Sequence, residues 1–187
     1  KKELRDYLKF GVKHISTYSL EIHEGTKFYN DGRKELDTSV VRDQFDLIYK
    51  TLTKNGYVRY EISNFAKKGY ESKHNLIYWR NEEYYGIGLG ASGYLNNIRY
   101  TNTKSINKYL LGDIVYEKEE LTKDDKEFYR IMLGLRLKEG IIIDKDIYQD
   151  KVESLIKRNL LERNGNKIKV KDDELFILDY ILRELLF

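Results

Sequence analysis

The stretch from Tyr57 to Gly93 limits what this chain can become more than any other. It reads Y-V-R-Y-E-I-S-N-F-A-K-K-G-Y-E-S-K-H-N-L-I-Y-W-R-N-E-E-Y-Y-G-I-G-L-G-A-S-G. It holds the single tryptophan, Trp79, and one of three histidines, His74, and it closes on Gly86, Gly88, Gly90 and Gly93. Two strand-like segments enclose a long insertion of polar and aromatic residues. A connection of that length is functional or disordered, and its aromatic content argues against disorder.

The rest of the chain can support a core. At 187 residues it is long enough for one or two domains. Charged residues make up 35% and apolar residues 41%, which is the balance of a soluble globular protein. The net charge of +3 is too small to argue for nucleic acid. No cysteine is present, so the chain holds neither a disulfide nor a thiolate-bound iron–sulfur cluster. No apolar run reaches the length of a membrane span. Nothing at the start reads as a signal peptide, so the expected location is cytoplasmic.

Taken in order, Lys1–Phe10 reads as the last turns of a helix with Leu4, Tyr7 and Leu8 on one face. His14–Glu21 alternates like a strand. A helix capped by Asp37, Thr38 or Ser39 carries Val41, Phe45, Ile48 and Leu52 on one stripe and stops at Asn55-Gly56. Tyr57–Ile62 is the next strand, and strand, helix, strand at this spacing predicts parallel pairing. Tyr84–Tyr94 reads as a third strand, with Arg99–Thr103 its candidate extension, and Ser105–Leu111 as a short helix. Gly112 and Asp113 form a linker. Beyond it, Thr122 and Asp125 mark a capping box, and Phe128, Ile131, Met132 and Leu135 form one apolar face. Asp144 opens a helix with Ile147, Val152, Leu155 and Ile156 inside. Asn164-Gly165 signals a type I′ hairpin. A last helix buries Leu175, Leu178, Ile181, Leu182 and Leu185. Helix, helix, hairpin, helix is a winged-helix-like order.

The central stretch resembles the HemW-type haem chaperones, a group within the radical-SAM coproporphyrinogen dehydrogenase superfamily. The match runs through Tyr60-Glu61-Ile62-Ser63-Asn64-Phe65-Ala66, Gly69-Tyr70-Glu71-Ser72, His74-Asn75-Leu76-Ile77-Tyr78-Trp79 and Tyr85-Gly86-Ile87-Gly88-Leu89-Gly90-Ala91. H-N-x-x-Y-W is the signature that separates this group from the true dehydrogenases. The resemblance implies an α/β fold. Residues 1–112 would be the closing part of a partial radical-SAM (β/α) barrel, and residues 113–187 a small winged-helix-like α+β domain. It also implies a C-terminal fragment, because the family's cluster-binding Cys-x-x-x-Cys-x-x-Cys lies towards its N-terminus.

Candidate sites follow from these residues. A neutral imidazole is a common ligand of haem iron, so His74 is the iron-ligand candidate, with Asn75, Tyr78 and Trp79 around it. The alternative is a structural role, in which His74, Asn75 and Trp79 tie down the loop by hydrogen bonds. The glycine run lets backbone approach a ligand, or bends a sheet. By resemblance, Ala91 and Ser92 lie beside S-adenosylmethionine (SAM), as does Ser19. Relatives often carry Ala-His where this chain has Ala91-Ser92. Glu61 and Asn64 bind a polar ligand group or close a local turn. Lys145, Lys151, Lys157 and Arg158 share their helix with Asp144, Asp146, Asp150 and Glu153, which argues against DNA binding.

The expected function is that of a haem chaperone which binds haem and delivers it to haem-requiring proteins such as respiratory-chain components, some of them membrane-associated. The resemblance implies SAM and a 4Fe–4S cluster in the full-length protein. Two alternatives stand beside it: an oxygen-independent coproporphyrinogen III dehydrogenase, and a winged-helix binding module. A truncated barrel exposes sheet edge, which predicts self-association.

Overall fold

The computed structural model describes residues 2–187. The chain divides into two compact units, one of residues 1–71 with 172–177 and the other of residues 72–171 with 178–187. The expected boundary at 112/113 falls inside the second unit.

The first unit is built on α1 (Lys2–Lys9), β1 (His14–Ser16), a one-turn α2 (Lys27–Asn30), α3 (Thr38–Lys54), β2 (Val58–Arg59) and β3 (Asn64–Ala66). Leu52, Tyr57 and Phe65 form its buried centre, and Leu4, Leu8, Ile15, Ile48 and Tyr49 pack against them. Tyr7, expected on the same face as Leu4 and Leu8, is half exposed instead. The helical stripe on α3 thus docks on the sheet, as amphipathic spacing requires.

The sheet corrects the predicted pairing. Its order is β1-β3-β2, and both neighbours run antiparallel to β3. The strand–helix–strand unit therefore does run β1 and β2 in one direction, but β3 is inserted between them. The expected strand 57–62 breaks because Glu61 closes a turn. Its carboxylate accepts from Ser63 N–H at 3.2 Å and from the Asn64 side chain, and Tyr60 N–H donates to Asn64 O at 3.2 Å. The predicted strand 14–21 likewise ends at Ser16. Thr17 makes one more backbone bond, to Ser63 O at 2.8 Å, and Tyr18 and Leu20 stand exposed.

The 172–177 segment returns to the first unit from more than a hundred residues away. Arg42 donates to Asp173 O at 2.6 Å, Tyr49 Oη donates to Asp172 Oδ2 at 2.9 Å, and Arg59 donates to Asp172 O at 2.5 Å. Phe176 meets Phe45 edge-on at 5.6 Å.

The second unit opens on α4 (Lys73–Trp79), then β4 (Ser92–Leu95), β5 (Ile98–Asn102), α5 (Ile106–Leu110), β6 (Val115–Glu120) and α6 (Lys123–Gly134). α7 (Gln149–Lys157), β7 (Leu161–Asn164), β8 (Lys167–Val170) and α8 (Leu178–Leu186) complete it. The long insertion thus contains β3 and a seven-residue helix, the latter started by Ser72 accepting from Asn75 N–H. Tyr84 forms only an isolated bridge with Tyr94, and β5 pairs back on β4 rather than extending it. Asn96 and Asn97 take positive φ of 48° and 66°, the requirement of a type I′ turn. β6 adds an antiparallel edge whose six residues are all exposed. Its run V-Y-E-K-E-E has no clear alternation, so the sequence gives no strand signal there.

In the last seventy residues the predicted elements form in the predicted order. Thr122 and Asp125 make both bonds of the capping box. Ile131, Leu135, Val152, Leu155, Leu161, Ile168, Ile181 and Leu185 are essentially fully buried. Ile147, expected inside, is 73% exposed, because it falls in a one-turn 3-10 segment before α7. The hairpin turn centres on Gly165-Asn166, and only Gly165 has positive φ, so the turn is not type I′.

Candidate functional site

Four of the expected site residues lie on α4. A step of about 100° per residue puts His74 with Tyr78 on one face and Asn75 with Trp79 on the next. His74 is exposed. Its Nε2 lies 2.8 Å from the Tyr78 hydroxyl, and the two rings meet edge-on at 4.7 Å. Tyr78 in turn meets Tyr84 edge-on at 4.4 Å. The result is a short aromatic column with an imidazole at its open end. If Nε2–H donates to Tyr78, the Nδ1 lone pair is left for a ligand.

Trp79 points the other way. Its Nε1 is buried and has no hydrogen-bond partner, and the guanidinium of Arg136, just past the end of α6, lies 5.5 Å from its ring centre. Arg80 adds a bond to Glu139 at 3.0 Å. Trp79 and Arg80 thus fasten α4 to the α6 region, and His74 and Tyr78 remain on the open side.

The glycine run folds onto the β4–β5 hairpin. A Cβ on Gly86 would lie 2.5 Å from Ser92 backbone, and one on Gly93 would lie 2.2 Å from the Tyr100 ring. Asn102 is 2% exposed and donates to Gly86 O at 3.0 Å and Gly88 O at 2.9 Å, and Gly86 N–H donates to Tyr100 Oη at 2.9 Å. Gly86 and Gly93 therefore serve close approach of two protein segments, while Gly88 and Gly90 take positive φ of 103° and 65°. Ala91 O accepts from Asn102 N–H at 2.8 Å, and the Ser92 hydroxyl lies 3.2 Å from that of Thr101. Both groups already have protein partners. Ser19 belongs to the first unit, with an exposed side chain on the wall of an open cleft of about 1000 Å³.

Glu61 and Asn64 are buried at 2% and 3% exposure. Ser16 Oγ donates to Asn64 Oδ1 at 2.5 Å, so this polar pair closes the β2–β3 turn and ties it to β1. His14 sits beside Tyr60 Oη at 2.8 Å.

Two arginine clusters are absent from the sequence reading. Arg59 is 2% exposed, with its guanidinium 4.2 Å from the Tyr49 ring centre and 4.9 Å from that of Phe45. Burial pushes its pKa below the usual arginine value, and burial together with the Asp172 hydrogen bond pushes Tyr49 up. Arg99 lies 4.1 Å from the Tyr129 ring and 4.7 Å from that of Tyr94. Burial raises the neighbouring Tyr84 pKa. Each cluster depends on pairing and packing: Tyr94 is the cross-strand partner of Arg99, while Tyr129, Tyr49 and Phe45 come from helices packed against the strands.

A radical-SAM cluster does not fit this chain, which offers no cysteine. Among the described residues there is no group of three or more metal-ligating side chains, and no helix is long and apolar enough to cross a membrane.

No protein-family model matches the chain. Curated relatives do. The chain is 36% identical to the "Heme chaperone HemW" of Lactococcus lactis, over 92% of its own length and 50% of the relative's. It is 37% identical to that of Bacillus subtilis, over 72% of this chain and 38% of the relative, and 30% identical to that of Haemophilus influenzae, over 96% and 51%. The chain thus spans about half the length of curated relatives it matches. The solved structure of coproporphyrinogen III oxidase (HemN) from Escherichia coli, described as a radical-SAM enzyme, superposes with a TM-score of 0.73 at 14% identity. It covers 97% of this chain and 50% of that one, a likeness of fold.

Proposed function

The chain belongs to the HemW family, and from that membership we propose that it forms the part of a haem chaperone on which haem is received, with His74 as the iron ligand. The observation that supports this most is the open face of α4. An exposed imidazole there is oriented by a tyrosine hydroxyl at 2.8 Å while the other face is fastened by Trp79 and Arg80. A ligand held outside the core can be loaded and released without unfolding, which suits cargo. Tyr78 lies beside the porphyrin, and Asn75 and Trp79 hold the helix that presents it. The haem then passes to haem-requiring proteins.

SAM enters the same proposal by resemblance, through Ser19 in the first unit and, independently, through Ala91 and Ser92 in the second. Ser19 supports it with an exposed hydroxyl. Ala91 and Ser92 contribute through a backbone that the Asn102 and Tyr100 bonds hold in place. The 113–187 segment is proposed as a winged-helix-like support, given its helix, helix, hairpin, helix order. Self-association is proposed through the exposed edge of β6.

The test is a haemin titration of the wild type and His74→Ala, read by Soret absorbance. The proposal expects a saturable, shifted band in the wild type that the substitution abolishes or moves. Identical spectra would make His74 structural.

A further inference from the structure

The arm that joins β5 to β6 in the second unit is almost uncovered. Every residue from 104 to 120 except Tyr109 is exposed. Its outer end is apolar: Ile106 is 59%, Leu110 76%, Leu111 86% and Ile114 40% exposed. Ile106 and Leu110 lie one helical turn apart on α5, and Leu111 follows as its C-cap. None of the four lines the clefts of about 1000, 700 and 530 Å³, so they form a protruding tip rather than the wall of a groove. Uncovered apolar side chains gathered in this way mark an interaction surface.

The tip is held in shape from behind. Thr103 is buried, its N–H donates to Ile114 O at 2.7 Å, and its Oγ1 accepts from Ser105 N–H at 3.1 Å. Ser105 caps α5 by accepting from Lys108 N–H at 3.4 Å. At the other end Gly112, with φ of 84°, turns the chain. There the N–H groups of Leu111, Gly112 and Asp113 donate to Asn107 O, Tyr109 O and Lys108 O at 3.0 to 3.1 Å. Those three carbonyls keep their partners when water is withdrawn, which is what backbone needs before it can approach an apolar phase.

Lys104 and Lys108 flank the tip. Asp113 is the acidic group beside them, 3.9 Å from Lys108 with both side chains more than half exposed, and a pair of that kind holds little. The glutamates of β6 run away from α5, since Glu117, Glu119 and Glu120 stand opposite Thr101, Arg99 and Ile98. A rigid partner would need a groove matched to this tip. A fluid lipid surface needs none: it takes in a protruding aliphatic end and meets lysines with its phosphates. We propose that the α5 tip docks the chain on an anionic lipid surface, with Leu110 and Leu111 entering the acyl boundary and Lys104 and Lys108 at the phosphates. This goes beyond the α4 reading and uses none of its residues.

The test is flotation of the full chain with vesicles of phosphatidylcholine alone and of phosphatidylcholine mixed with phosphatidylglycerol. The wild type should float with the mixed vesicles, and less so as salt is raised. Leu110→Ser/Leu111→Ser should lower that partition about tenfold or more, since it withdraws two leucines from the lipid. Both side chains are exposed, so the change should leave the unit folded. Lys104→Glu/Lys108→Glu should lower it about tenfold or more as well, on the mixed vesicles alone. The chain has no cysteine, so Leu111→Cys can carry a single polarity-sensitive fluorophore. Its emission should move to shorter wavelength on mixed vesicles, and that of the same label at Ile147→Cys, also exposed, should not. A wild type that stays with neither vesicle overturns the inference. So does flotation that the serine pair leaves unchanged, because the contact then lies elsewhere. A label at position 111 that responds to protein concentration and not to lipid makes the tip a contact between copies, which overturns it too. Charge reversal without effect overturns the role given to the lysines.

Discussion

Asn102→Ala measures how firmly the glycine run is held. The side chain is almost completely buried, and its Nδ2 donates to Gly86 O and Gly88 O at 3.0 and 2.9 Å. Removing it leaves Gly86 O unmet, at about 1–2 kcal/mol, and costs Gly88 O the better of its two bonds, at about 1 kcal/mol, since Ala91 N–H still donates to it at 3.4 Å. Asn102 Oδ1 is itself buried without a partner, so deleting it recovers about 1 kcal/mol. The net expected loss is about 1–2 kcal/mol in the stability of the second unit. Chemical denaturation followed by Trp79 fluorescence reads it, since the only tryptophan lies in that unit. Amide exchange at 86–91 should accelerate in parallel. A loss below about 0.5 kcal/mol, with unchanged exchange, would refute the claim that Asn102 holds this loop.

Further predictions follow from the same coordinates. Arg59→Met should be tolerated within about 1 kcal/mol, because it keeps the packing against Phe45 and Tyr49 and removes two buried nitrogens that have no partner, whereas Arg59→Ala should cost about 3 kcal/mol or more. Equilibrium unfolding of the two variants separates packing from charge. Gly93→Ala should destabilise by about 1–3 kcal/mol through the Tyr100 ring, and pairing it with Tyr100→Ala should be less than additive. Asp125 is held below the usual carboxylate range by the side-chain and backbone bonds of Thr122. Its folded pKa is depressed, so its contribution is present above its unfolded pKa of about 4 and is lost as pH falls through the lower folded value. The stability difference between wild type and Asp125→Asn should therefore shrink under acid, and acid titration of both proteins checks it.

Local rules made some of the fold legible. The apolar stripes of α3 and α8, the Thr122 capping box and the short helix after Ser105 all depend on neighbours within one or two turns, and all formed. Pairing was not legible, because β3 enters between β1 and β2 through a turn made by the Glu61 side chain, which alternation does not encode. α4 was missed for a related reason. Its aromatic composition masked a seven-residue helix whose cap, Ser72, reads equally as a loop residue. At the site, the motif pointed to His74 and Tyr78, which the structure places side by side. It did not reveal that Trp79 faces α6, since Arg136 lies 57 positions away in sequence. The cages around the buried Arg59 and the half-buried Arg99 arise from strand pairing and helix packing, which no local spacing encodes.

The most direct measurement on the central claim is ligand replacement in His74→Ala. The variant is loaded with haemin, imidazole is added, and the Soret band is compared with that of the loaded wild type. The account predicts that the substitution shifts or removes the band and that free imidazole restores the wild-type position, because it supplies the missing nitrogen ligand. A variant whose band matches the wild type before imidazole is added would contradict the assignment of His74 to the iron.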